Sequence, residues 1–118
     1  MSETAARPSR SRQSATAAAK DAINAAVDLF HRRWVLRILW ELRGDPLTFR
    51  ALQAACADVS PSVLNQRLAE LRAAQLVEHE PRTGYRLSAH GRDLVVAMQP
   101  LTRWAKRWWR EVGAVTSG

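Results

Sequence analysis

Apolar side chains recur at helical intervals over most of this chain and alternate with polar ones only in a short stretch after residue 75. Ile23, Ala26, Val27 and Phe30 fall at i, i+3, i+4 and i+7, which predicts a half-buried helix from about Lys20 to His31. A second helix, about Arg33 to Arg43, puts Val35, Ile38, Leu39 and Leu42 on one face, while Trp34, Leu36 and Trp40 add apolar surface elsewhere. That much apolar surface predicts a central position. Gly44-Asp45-Pro46 should end it, since Gly accepts the left-handed cap conformation and Pro cannot continue the ladder. A third helix is expected from Thr48, a capping residue, to Cys56, with Phe49, Leu52 and Ala55 inward. Ala57 to Val59 then turn the chain.

Ser60 can accept hydrogen bonds from the first turn of a fourth helix, and Pro61 sits where its missing N–H costs nothing. Val63, Leu64, Leu68 and Leu71 make the inward stripe of that helix, and Ser62, Asn65, Gln66 and Ala69 its outward face. Leu76 to Glu80 and Tyr85 to Ser88 alternate around Pro81-Arg82-Thr83-Gly84, which predicts a hairpin. The last helix, Ala89 to Val112 with Ser88 as cap, carries Leu94, Met98, Leu101, Ala105, Trp108 and Val112 in a heptad seam that Trp104 and Trp109 widen. Pro100 lies inside that helix and should kink or split it.

Two short helices joined by a tight turn, with a hairpin directly after the second, are the order of a winged helix-turn-helix. The predicted fold is therefore mainly α with a small β-hairpin, and the heptad seam of the last helix predicts a dimer contact. On the fourth helix the outward residues are small or carry amides, and Asn and Gln amides match the edge of adenine in the major groove. A solvated amphipathic helix has the same pattern, so the hairpin that follows is what favours recognition. Ser60, Ser62, Asn65 and Gln66 become candidate DNA contacts, with Arg50, Arg67, Arg82 and Arg86 as nearby cations. Arg32 and Arg33 also lie beside the motif; all six arginines duplicate in a dimer without all touching phosphate, and about six contacts would give a logarithmic salt slope near −5.

Composition agrees with a polyanionic partner. The 118 residues suffice for one domain and carry a formal charge of +7, from 18 basic against 11 acidic side chains. Residues 1–18 are mostly Ser, Thr, Ala and Arg without apolar period and predict a disordered basic arm; 19–112 form the domain and 113–118 a flexible tail. A membrane is the competing polyanion, but no stretch approaches the ~20 apolar residues of a span and no signal-peptide region begins the chain, so a cytoplasmic protein is expected. The single cysteine, Cys56, excludes an internal disulfide. His31, His79 and His90 are scattered, and neither a catalytic constellation nor metal-ligand spacing can be assembled, so no enzyme activity, metal or cofactor is expected. Of five Trp, three lie between Trp104 and Trp109. They fit packing at a dimer seam, or a pocket for a small hydrophobic or aromatic effector between the last helix and its dimer mate.

With these elements placed, the sequence resembles the HxlR family of bacterial winged-helix transcriptional regulators from about residue 22 to 110. Trp34-Val35-Leu36-Arg37-Ile38-Leu39-Trp40-Glu41-Leu42 is similar to the family's W-x-x-x-I-L-x-x-L helix, and Pro46-Leu47-Thr48-Phe49-Arg50-Ala51-Leu52 to its P-L-R-F-x-E-L. Val59 to Leu71 resembles the I-S-x-x-x-L-x-x-R-L-x-x-L recognition helix, and Tyr85 to Gly91, with Trp104 and Trp108, completes the likeness. The resemblance implies a homodimer that binds operator DNA, an inverted repeat matching its two-fold axis, with dimer contacts from the first helix, through Ile23 and Val27, and the last. His31-Arg32-Arg33 replaces the family's usual Gly-Gly-Lys, Thr48 replaces a basic residue, and the hairpin turn is short. No cysteine stands near the N-terminus, where oxidant-sensing members carry one; Cys56 fits a small buried apolar role. The alternative reading is a winged-helix module for protein contacts without specific DNA binding.

Overall fold

A computed structural model describes residues 10–57 and 59–117. Their order is α1 (Arg10–Phe30), α2 (Val35–Glu41), α3 (Phe49–Ala55), α4 (Pro61–Ala73), β1 (Val77–Glu80), β2 (Gly84–Leu87) and α5 (Ala89–Ser117). The first nine residues of the expected arm lie outside the described residues. From Arg10 onward the arm is helical, so α1 starts well before Lys20. Composition explains the difference: residues 10–30 contain no Gly or Pro and are rich in Ala, the best helix former. At the other end, helix continues from Gly113 to Ser117 where a flexible tail was expected.

The central helix α2 is shorter at both ends than its apolar pattern. Trp34 precedes it with φ 81°, a left-handed conformation, and Leu42 caps its end with φ −87°. Gly44 is not left-handed, contrary to the expected cap. The chain instead leaves past Arg43, whose guanidinium donates to the Trp40 carbonyl at 2.9 Å and lies 4.0 Å over the Trp40 ring. Pro100 does not split α5, and Thr102 Oγ1 donates to the Met98 carbonyl at 3.0 Å within the continuous helix.

Val35, Ile38, Leu39 and Leu42 from α2 meet Leu52 and Cys56 from α3 and its cap, Leu64, Leu68 and Leu71 from α4, and Val77, Leu87 and Val95 beyond. This three-helix core carries the hairpin on its edge. The two strands pair antiparallel, Val77 with Leu87 through Glu80 with Gly84. A third segment joins them, unforeseen in the sequence: Leu47 and Tyr85 exchange backbone hydrogen bonds of 2.9 and 2.8 Å.

Outside the core, α1 and α5 project. The radius of gyration is 19.0 Å, against about 13–14 Å for a compact chain of this length. Apolar side chains are left on the projecting parts, with Ile23 64% exposed, Leu101 57% and Trp109 62%. Among the described residues no helix is long and apolar enough to cross a membrane.

Candidate nucleic-acid interface

The start of α4 is held as its sequence predicts. Ser60 Oγ accepts from the Val63 amide at 3.2 Å, and Pro61 occupies the first turn. The preceding turn is pinned by Gln53, whose side-chain amide donates to the Val59 carbonyl at 3.0 Å, and Thr48 caps α3 in the same way through the Ala51 amide at 3.1 Å. These bonds satisfy backbone groups that helix ends leave unpaired and fix the angle between α3 and α4. With Leu64, Leu68 and Leu71 buried, Ser62, Asn65, Gln66 and Ala69 are exposed together on the opposite face. Ser62 lies 3.5 Å from Ser60, oxygen to oxygen. The C-terminal end of α4 is equally defined: Gln75 takes φ 62°, and Leu76 donates to the Leu71 carbonyl, which aims the chain into β1.

The four cations expected beside this face fall into two kinds. Arg50 is exposed next to Ser60 and Pro61, and Arg82 is exposed on the hairpin turn. Arg86 is paired within the hairpin, its Nε 3.0 Å from Glu78 and its Nη1 3.3 Å from Glu80. Arg67 is turned inward. Its Nε donates to the Arg33 carbonyl at 2.9 Å and its Nη1 to Glu70 at 3.1 Å, while Arg32 approaches the same carboxylate at 3.0 Å. This clasp ties α4 to the corner between α1 and α2. The sequence placed Arg67 among the cations beside the reading face and gave no sign of the bond across 34 positions, since nothing local signals it. Trp34, the next residue, is left-handed, so the His31-Arg32-Arg33 corner is tied to α4 just before a strained backbone position.

Partial burial pushes the Glu70 carboxyl up, but the hydrogen bond from Arg32 and the charges of Arg67 and Arg32 outweigh it and hold the group below the ordinary carboxylate range. A carboxyl lowered in the native state stabilises the fold above its unfolded value, about 4.3 for Glu, and that contribution disappears as pH falls through the lower native value. Chemical denaturation between pH 6 and 3 should therefore show wild-type stability falling more steeply than that of Glu70→Gln. Parallel curves would mean that the clasp carries no ionic stabilisation.

Burial, followed by the charge of Glu41, pushes the Cys56 thiol up, which leaves it a poor nucleophile inside the core. Among the described residues no three of His, Cys, Asp and Glu are grouped to hold a metal ion.

The dimer candidates divide as well. Leu94 packs on the chain's own core, and Met98 and Ala105 are half-buried, whereas Ile23, Val27, Leu101, Trp104, Trp108 and Val112 stay exposed. Trp104 and Trp108 stack with centroids 5.6 Å apart and planes 8° from parallel.

A three-helix core with an exposed polar face on its capped last helix, and a hairpin attached to that helix, defines a winged helix-turn-helix protein. The chain belongs to the HxlR-like helix-turn-helix family, which matches residues 29–112. It is 30% identical over 89 residues to the HTH-type transcriptional regulator YvaP of Bacillus subtilis strain 168, covering 70% of this chain and 82% of that one. The quinone-bound structure of YodB from B. subtilis is similar at TM-score 0.68 and 27% identity, with 73% of this chain and 96% of that one covered. A MarR-family transcriptional regulator from Enterococcus faecalis V583 reaches TM-score 0.68 and 26% identity over 80% and 92% of the two chains. The protein is a DNA-binding transcriptional regulator and not an enzyme.

Proposed function

We propose that this regulator acts as a cytoplasmic homodimer on an inverted-repeat operator, with α4 of each protomer in the major groove. The observation that carries this reading is the exposed set Ser62, Asn65 and Gln66 on the N-terminal half of a helix whose other face is locked into the core. Ser62, Asn65 and Gln66 read base edges; the Ser60 turn and Arg50 approach the phosphates, and Arg82 reaches the backbone from the hairpin. Arg67 positions α4 through the clasp rather than touching DNA, and Arg86 is neutralised by Glu78 and Glu80. A protein so arranged should shift genomic fragments from around its own gene at moderate salt and leave random DNA unshifted. Ile23 and Val27 from α1 and Leu101, Trp104, Trp108 and Val112 from α5 supply the dimer contacts, with Met98 and Ala105 at their edge. A small apolar or aromatic effector modulates binding, a role supported by the likeness to a regulator solved with a quinone.

Of the four cations named beside the α4 face, Arg67 and Arg86 are ion-paired, and Arg50 and Arg82 give four phosphate contacts per dimer against about six expected from sequence. The slope of log affinity against log salt concentration should then lie near −3.5. A titration by fluorescence anisotropy that returns a slope near zero removes the electrostatic part of the proposal.

The self-paired hairpin also fits a second reading, a winged-helix surface for protein contacts. In that case the genomic fragments shift no better than random DNA.

A further inference from the structure

At the C-terminal end of α4, that helix, α1 and the first turns of α5 enclose an open groove of about 1130 Å³. Its floor is apolar, built by Leu29, Phe30, Leu76 and Leu94. Alanines line the walls, including Ala25 and Ala26 on α1 and Ala73 at the end of α4, and it is their short side chains that leave the space open. Asp28, Glu70 and Asp93 border the groove, with the Arg32 guanidinium and the His90 imidazole as the basic groups of its lining, in a chain whose overall charge is +7. Arg32 is already engaged by Glu70 at 3.0 Å. Among the described residues neither Asp28 nor Asp93 forms an ion pair. An apolar floor with unpaired carboxylates at its edge selects against anions and offers little to a neutral polar molecule.

We propose that this groove binds a lipophilic cation, an apolar body carrying an amine or quaternary ammonium, and that such a molecule is the regulator's effector. The effector role rests on the DNA-binding reading above; the binding itself does not. Ala26 and Phe30 lie on the same stripe of α1 as Ile23 and Val27, so the groove borders the dimer seam. Glu70 belongs to both the groove wall and the clasp on Arg67 and Arg32. A cation in the groove competes for that carboxylate and loosens the tie between α4 and the α1–α2 corner, so groove and operator occupancy are linked in both directions.

The test uses the full chain without DNA, titrated calorimetrically with tetraphenylphosphonium and with tetraphenylborate, which match in shape and differ in the sign of charge. The phosphonium should bind at one site per chain, and at least tenfold more tightly than the borate, although net charge alone favours the borate. Asp28→Asn with Asp93→Asn should weaken phosphonium binding about tenfold, and Ala25→Phe, which fills the groove, should abolish it while sedimentation stays as in wild type. Equal or tighter binding of the borate, unchanged affinity in either variant, or an altered oligomeric state in Ala25→Phe overturns the proposal; the last would assign the groove to a second copy of the chain. Because no DNA is present, failure to shift an operator fragment is a separate result and speaks only to the DNA-binding reading.

Discussion

Replacing Leu101 and Trp108 together with Glu should yield a folded monomer that has lost about a thousandfold in operator affinity. Leu101 is 57% and Trp108 44% exposed in the single chain, on a helix that runs well beyond the core. With Ile23, Val27, Trp104 and Val112 they leave more apolar surface open than a soluble monomer tolerates without a partner. Two carboxylates placed on this surface face their own images across a two-fold axis and cannot be buried there. Neither residue contributes to the core, so the fold survives. The affinity loss follows because a dimer binds its second half-site at the effective concentration set by the first, an advantage of ~10²–10⁴. Sedimentation velocity on wild type and variant gives the answer, and a wild-type chain that runs as a monomer at micromolar concentration rules the dimer out.

The second large effect is expected at Gly84. Its φ is 102°, which L side chains rarely adopt, and a Cβ there would overlap the Leu47 carbonyl oxygen. The close approach exists because Leu47 and Tyr85 exchange two backbone hydrogen bonds, which anchor the hairpin to the segment between α2 and α3. Gly84→Ala must either strain this backbone or break the bridge, at a cost of roughly 2–4 kcal/mol. The melting temperature should fall by on the order of 10 °C. Gly44→Ala is the control, since a Cβ there meets nothing within 4 Å. Equal melting temperatures for the two variants would show that the hairpin is not anchored through Leu47.

Local signals were the legible ones. Ser60-Pro61, Thr48, the apolar stripes and the hairpin turn each act within a few residues, and the helix-turn-helix, wing and core appear where these place them. Contacts across long separations had no such signal. Arg67 read as a cation beside the recognition face, and only the fold brings it and Glu70 to Arg32 and the Arg33 carbonyl. Leu47 belongs to no strand-like run, so its bridge to Tyr85 was invisible. In α1 an Ala-rich stretch without apolar period read as disorder, although helix propensity alone suffices to extend a helix already anchored at Leu29 and Phe30. The heptad pattern in α5 ran together two surfaces that the structure separates, Leu94 on the core and Leu101 onward outside it.

Sequence-specific reading of DNA by the outward face of α4 is tested most directly by competition mobility shifts, with the operator fragment against random DNA, for wild type, Asn65→Ala and Gln66→Ala. Each substitution removes an exposed amide without touching the core. Each should cost roughly 1–3 kcal/mol on the operator and little on random DNA, lowering the specificity ratio about 5- to 150-fold. Arg82→Ala should weaken both kinds of DNA alike, because a phosphate contact carries no sequence information. An unchanged ratio in both Asn65→Ala and Gln66→Ala would contradict the assignment of α4 as the recognition helix.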